Sequence, residues 1–270
     1  MEVKTYSANE SISEKASNKN FFLHNHAEYE IYMFLEGDSE YIVEGNVYTL
    51  NPNDMIIIRK NEMHRVFHNS SKKYRRFVLM ISPEFFAQKN CLEYETGFLT
   101  QSQKYGNKIK ADIVHSSGLY DAISRYKKYS NNYSVSDSPI TDSCIIEILH
   151  ILNSISSFSY ANVSNSPIKE IISYINDNFA NDISLDELSN VFFISKYYLC
   201  RLFKQSTGLT IQNYIRHKRL TYVQELHNAG KTLTDASTLA GFHDYSSFYR
   251  AYLKEHNAPP RTKRGIYAER

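Results

Sequence analysis

The spacing of hydrophobic positions changes partway along the chain. Between Phe21 and Ile81 apolar and aromatic residues fall in short runs: 29–35, 41–43, 47–50, 55–58 and 77–81. Turn-forming stretches separate them: Glu36-Gly37-Asp38, Glu44-Gly45-Asn46 and Asn51-Pro52-Asn53-Asp54. Short β-branched and aromatic runs broken by Gly, Pro, Asn and Asp predict strands, and a succession of them predicts an all-β barrel or sandwich. From Gly118 to Tyr129 the spacing becomes helical. Between Ile140 and Phe158, Cys144, Ile145, Ile148, Leu149, Leu152 and Ile155 form a stripe at i, i+3 and i+4. A stripe so apolar must be covered, either by the barrel or by the same stripe of a second subunit. The polar segment 154–167, closed by Pro167, reads as an interdomain linker.

Helical spacing then continues nearly to the end. Ile168, Ile171, Ile172, Ile175 and Phe179 form one apolar face. Ser184 and Glu187 are spaced as a capping box that opens a short helix reaching about Asn190. Val191-Phe192-Phe193 is the turn, and Ser195 caps a second helix over 196–205, with Leu199, Leu202 and Phe203 inward. This short helix, brief turn and second helix carrying Arg201 and Lys204 follow the helix-turn-helix plan. The plan recurs. Residues 233–240 form a short helix, Gly241-Phe242-His243-Asp244 a turn and 245–254 a second helix carrying Arg250. Between the units, 211–226 predicts a long amphipathic helix with Arg216, Lys218 and Arg219. Such a rod would hold two reading heads about 34 Å apart, one turn of DNA.

Composition narrows the class. At 42% hydrophobic and 22% charged residues, the 270-residue chain suits two globular domains rather than a disordered polymer. No apolar run spans a bilayer and residues 1–15 lack a signal-peptide core, so a cytoplasmic protein without membrane contact is expected. Cys91, Cys144 and Cys200 are too scattered for a disulfide framework or a zinc knuckle. The net charge of +2 conceals an asymmetry. Residues 167–270 carry 14 Lys and Arg against 10 Asp and Glu, and the remainder 17 against 19. A basic C-terminal half fits a nucleic-acid binder.

Two stretches, ISLDELSNVFFISKYYLCRLFKQSTGLTIQNYIRHKRL (183–220) and LTDASTLAGFHDYSSFYRAYLKEHNAPP (233–260), resemble the AraC/XylS family of bacterial transcription regulators. The resemblance covers almost all of the last 100 residues. It implies two units that insert their second helices into successive major-groove segments of double-stranded DNA. Carried over by position, Tyr197, Cys200 and Arg201 are base-edge readers in the first unit, and Tyr245, Ser246, Tyr249 and Arg250 in the second. Lys196, Lys204, Arg216 and Lys254 are phosphate contacts. Arg pairs bidentately with guanine, whereas Lys on phosphate supplies salt-sensitive affinity without sequence information. Ser237 stands where the family usually has Ala. The resemblance also implies activation through RNA polymerase and a small-molecule effector, and the apolar stripe over 140–155 points to a homodimer.

In the first half, His24-x-His26, Glu30 and Gly37 match the first motif of the cupin barrels, H-x-H-x3-E-x6-G, and His64 follows the next strand-turn unit. Two readings follow. Regulators of the resembled family often carry such a barrel as an effector pocket. His24, His26, Glu30, Tyr32, Arg59 and His64 would then hydrogen-bond a hydroxylated ligand such as a sugar, with no cofactor. Alternatively His24, His26, Glu30 and His64 hold Fe, Mn, Ni or Zn, and the chain is a metal-dependent enzyme with an accessory helical domain. The second cupin motif is broken, since Asp54 replaces a glycine, and the regulator is the reading adopted. The expected fold is α+β multidomain: a cupin-like barrel over 1–85, a helical and dimerising segment over 86–160, a linker over 161–167, and an all-α double helix-turn-helix domain over 168–270.

Overall fold

Two runs of consecutive apolar residues, 31–35 within the strand Tyr29–Glu36 and the strand Met55–Ile58, are covered on both faces, which is why they do not alternate with polar residues. The computed structural model describes residues 5–18, 21, 23–95, 98, 106–132, 138–155, 167–256 and 258–260. The chain divides into two units, Met1–Asn165 and Ser166–Arg270. The expected linker lies at the junction, and its residues 161–166 fall outside the described residues.

In the first unit the strands are β1 (Tyr6–Ser13), β2 (Tyr29–Glu36), β3 (Ser39–Val43), β4 (Asn46–Thr49), β5 (Met55–Ile58), β6 (His64–His68), β7 (Tyr74–Ile81) and β8 (Lys108–Ile109). Antiparallel pairing gives a five-stranded sheet, β1-β7-β2-β5-β8, and a three-stranded sheet, β4-β3-β6. The larger sheet separates two cores. Ile31, Met33, Ile57, Phe77, Leu79 and Ile81 face the helices. Tyr32, Phe34, Ile56 and Ile58 meet Tyr41, Val43 and Val66 of the smaller sheet.

Three strands have no apolar signature strong enough to predict them. β1 is polar along most of its length and lies at the sheet edge, held by backbone pairing with β7 from Tyr6↔Ile81 to Ser13↔Tyr74. β6 begins at a histidine, and β8 has two residues at the other edge. β8 also brings residues beyond 85 into the sheet, so the barrel does not stop where the predicted boundary placed it.

The helices of this unit are α1 (Pro83–Gln88), α2 (Ala111–Ser116), α3 (Leu119–Asn132) and α4 (Pro139–Ser154). Helix α4 opens with a capping box in which Ser138 and Thr141 satisfy each other's backbone N–H groups. Its stripe of Cys144, Ile145, Ile148, Leu149, Leu152 and Ile155 is buried against Phe77, Leu79 and Ile123 of the same chain. That answers the question the sequence left open. The stripe is spent within the chain, so it is not the face through which a second subunit would pack.

The second unit contains α5 (Pro167–Asn178), α6 (Leu185–Val191), α7 (Lys196–Thr207), α8 (Ile211–Asn228), α9 (Leu233–Leu239) and α10 (Tyr245–His256). Ser184 Oγ accepts from Glu187 N at 3.0 Å, but the reciprocal half of the expected capping box is replaced: the Glu187 carboxylate instead accepts from Tyr174 of α5 at 2.6 Å. Ser195 caps α7 as expected, and Gly208 ends it in the left-handed conformation. The αL turn between α6 and α7 falls on Phe193, at φ 53°, with its side chain 95% exposed.

Helix α8 serves two cores. Ile211, Tyr214 and Ile215 are buried beside Leu199 and Phe203 of the first helix-turn-helix. Leu220 and Val223 pack with Leu233, Ala236, Ala240 and Phe248 of the second. The end of α5 adds a strap. Arg219 of α8 donates to Phe179 O at 2.7 Å and Asn181 O at 2.8 Å. Between those residues, Ala180 lies against Gly241 in the second unit's turn, where a Cβ on Gly241 would sit 2.2 Å from Ala180 O. Only glycine fits there, both for that reason and because its φ is +87°.

Two outcomes follow. Ile148→Ala should lower the stability of the first unit by about 2–5 kcal/mol, and chemical denaturation should find the loss independent of protein concentration. Gly241→Ala should cost more than Gly230→Ala. Both positions are left-handed, but a Cβ at Gly230 meets nothing within 4 Å. Urea melts of the two variants would isolate the Ala180 contact, expected at more than about 1 kcal/mol.

Candidate functional site

The first unit encloses a cavity of about 500 Å³ with polar lining from Asn9, His24, His26, Glu30, Tyr41 and Arg76 and apolar lining from Phe21, Val66, Val78 and Met80. The strand register explains the mixture. Glu30 pairs with Met80 and Phe34 with Arg76 across β2 and β7, so alternate residues of β7 face this side while Phe77, Leu79 and Ile81 face the helices.

His24 and His64 are tied by a pair of backbone hydrogen bonds at 3.0 and 2.8 Å, which bridges the loop before β2 to the start of β6. Their ring centroids are 4.4 Å apart, and those of His26 and His64 4.8 Å. Glu30 lies among them. Its Oε2 is 3.0 Å from His26 Nε2 and 3.5 Å from His64 Nε2, and its Oε1 accepts from the Tyr41 hydroxyl at 3.1 Å. Burial by itself would raise the Glu30 pKa, but His26 and His64 outweigh it and hold the carboxyl well below the usual carboxylate range. Burial likewise would lower the His26 pKa, and the Glu30 carboxylate reverses this to a net rise. Tyr41, fully enclosed beside that carboxylate, has its pKa pushed well up, chiefly by burial.

Four of the six expected effector residues, His24, His26, Glu30 and His64, come together here. Two do not. Tyr32 is completely buried between the sheets, with its hydroxyl bonded to that of Tyr74 at 2.9 Å. Arg59 is 5% exposed and braces the chain, pairing with Glu62 at 3.1 Å and donating to the Phe98 carbonyl. Tyr32 on β2 and Arg59 just after β5 are thus taken up by packing instead of lining the cavity. Tyr41 and Arg76 line it and were not anticipated. Arg76 donates to Ser11 Oγ at 3.1 Å and lies over the Phe21 ring at 5.1 Å. Its partners come from the polar edge strand β1 and the loop after it, and no apolar pattern announced them.

In the second unit the expected base readers are on α7 and α10. Tyr197, Cys200, Arg201, Tyr245, Ser246, Tyr249 and Arg250 are all exposed, Tyr197 at 77%. The inward sides of the same helices are fully buried at Leu199, Phe203 and Phe248. Asp244 accepts from Ser247 N at 2.6 Å to start α10, and that backbone bond chiefly lowers its pKa. Among the expected phosphate contacts, Lys204 and Lys254 are exposed, and Lys196 is exposed while ion-paired with Asp186. Arg216 is half-buried and donates to Asn213 Oδ1 at 2.9 Å. Arg219, also on α8, is committed to the Phe179 and Asn181 carbonyls just after α5. At Ser237 the hydroxyl is buried but satisfied by Thr234 O at 2.8 Å, so the helix accepts it in place of Ala.

Among the described residues no helix is long and apolar enough to cross a membrane. Residues 9–96 match the model of an AraC-like ligand binding domain, and residues 188–265 that of a helix-turn-helix domain. The HTH-type transcriptional activator RhaS of Escherichia coli O81 is 25% identical over 260 residues, spanning 94% of this chain and 91% of its own. RhaS of Citrobacter koseri is 21% identical over 244 residues, spanning 88% and 85%. Among solved structures, ToxT from Vibrio cholerae is 15% identical and covers 95% of this chain and 97% of its own, with a TM-score of 0.38. An AraC-like ligand-binding module followed by paired helix-turn-helix units makes this chain a member of the AraC/XylS family of DNA-binding transcription regulators.

Proposed function

We propose that the protein is a sequence-specific transcription activator that reads two adjacent major-groove segments through α7 and α10. It answers to a small, hydroxyl-rich effector, a sugar among the candidates, held in the cavity of the first unit. The observation that carries the DNA reading is the exposure of Arg201 and Arg250 at matching places on the two second helices, whose cores share α8. Tyr197, Cys200 and Arg201 would meet base edges in one segment, and Tyr245, Ser246, Tyr249 and Arg250 in the next. Lys196, Lys204, Arg216 and Lys254 would lie along the phosphates. Cys200 is a weak hydrogen-bond donor and suits a thymine methyl.

Activation is supported by the activator names of the relatives, and contact with RNA polymerase would be its route. The polar lining of the cavity supports an effector with several hydrogen-bonding groups. By linkage, effector and DNA must change each other's affinity by one common factor. A transcription regulator leaves no role for the enzyme reading of the barrel.

Binding-site selection from random duplexes, with and without candidate sugars, would identify operator and effector together. On the selected site, Arg201→Ala and Arg250→Ala should each weaken binding by about 1–3 kcal/mol and relax sequence preference at one position, with the circular dichroism unchanged. Lys204→Ala and Lys254→Ala should weaken all duplexes alike and each reduce the salt slope by about 1. Unaltered affinity and preference in both arginine variants would remove the assignment.

A further inference from the structure

We propose that the effector is a small organic acid and that Arg76 receives its carboxylate. The proposal rests on the reading of the cavity as an effector site and names the chemical class that the site takes.

The ground is a positive charge that no acid in the cavity answers. Besides its histidines, the cavity is lined by two chargeable side chains, Glu30 and Arg76. Glu30 is engaged, with His26 Nε2 at 3.0 Å from Oε2 and the Tyr41 hydroxyl donating to Oε1 at 3.1 Å. Arg76 has only neutral neighbours. Its Nε donates to Ser11 Oγ at 3.1 Å, and its guanidinium lies 5.1 Å from the Phe21 ring centroid and 5.8 Å from that of Tyr74. The Tyr74 hydroxyl is its other polar neighbour, and burial raises the pKa of that phenol, which keeps it uncharged. Among the described residues no carboxylate pairs with Arg76. Other arginines of the barrel do find one. Arg75, which strand alternation sends to the opposite face, reaches Glu10 at 2.8 Å, and Arg59 reaches Glu62 at 3.1 Å.

The surroundings register this charge. His68 packs edge-on against Phe21 and Tyr74, at 4.8 and 4.4 Å between centroids. Its pKa is pushed down to about 4, first by burial and then by the positive charges of Arg76 and Arg65. A half-buried cation among aromatic rings is held at a cost that an incoming anion would relieve.

The donor geometry selects the anion. A guanidinium presents parallel N–H groups in one plane, which match the two oxygens of a carboxylate. One guanidinium balances one negative charge, whereas a phosphate dianion would leave a surplus facing Glu30. Asn9, His24 and Tyr41 can hydrogen-bond hydroxyl groups, and Phe21, Val78 and Met80 cover a carbon skeleton. A hydroxy acid, such as a sugar acid, meets all of these, and about 500 Å³ is room enough for one.

The test uses the full chain and matched pairs that differ in the acid group: galacturonate against galactose, gluconate against sorbitol, and phenyllactate against phenylpropanediol. Binding is read by calorimetry, and operator affinity is measured with each compound present. At least one acid should bind at one equivalent per chain, about tenfold or more tighter than its neutral counterpart. Arg76→Gln should bind both members of that pair alike. Arg76→Lys, which keeps the charge and loses the fork, should retain part of the preference, and Arg75→Gln all of it. Equal binding of acid and neutral compound by the parent overturns the proposal, as does an unchanged preference in Arg76→Gln or a panel in which no acid binds. A neutral sugar that binds and shifts operator affinity would sink the proposal while leaving the effector reading intact. An acid held by Arg76 that leaves operator affinity unmoved would do the reverse.

Discussion

Helix α8 has to satisfy two hydrophobic cores with one rigid rod, and the arrangement of the DNA-reading surface depends on that. Its first half is buried with the helix-turn-helix of α6 and α7, and its second half with that of α9 and α10. At 18 residues it is roughly 27 Å long. Rotating one reading head against the other would pull either Tyr214 from Phe203 or Val223 from the second core. Large buried side chains cost several kcal/mol to displace, so the heads are held as a pair. The end of α5 reinforces the rod through Arg219 and through the close approach of Ala180 to Gly241.

A different constraint shapes the first unit. Its large sheet is covered twice, by helices on one face and by the small sheet on the other, so its central strands carry little but apolar side chains. The polar groups that line the cavity sit on one stretch of the inner face, where β2 and β7 present Glu30 and Arg76 and the loop before β2 presents His24 and His26. Concentrating charge in so small a volume is tolerable because the groups satisfy one another: Tyr41 and His26 bond Glu30, and Ser11 bonds Arg76. A ligand entering the cavity meets preoriented polar partners and must exchange its own water for them.

Much of this was legible in advance. The helix-turn-helix units were visible in the residues because their physics is local. Ser184 and Ser195 cap, Leu199 and Phe203 repeat at helical spacing, and Arg201 and Arg250 fall at matching offsets. The outward helix faces then follow from 3.6 residues per turn. The strands with strong apolar runs were equally clear, as was the grouping of His24, His26, Glu30 and His64.

Other features depended on partners distant in sequence. Whether the α4 stripe met a second chain or its own barrel was decided by Phe77, Leu79 and Ile123, which are remote from it along the chain. Tyr32 and Arg59 looked like cavity residues until the inter-sheet packing and the Glu62 and Phe98 contacts claimed them. β1 had no hydrophobic signature because an edge strand is held by its backbone, and with it came Asn9 and the Ser11 partner of Arg76. The sequence by itself determined the helix-turn-helix units, their serine N-caps, the strongly apolar strands and the exposed helix faces, since periodicity and capping act over a few residues. Only the tertiary structure decided which buried surfaces meet and which side chains line the cavity, because those contacts join residues that no local spacing relates.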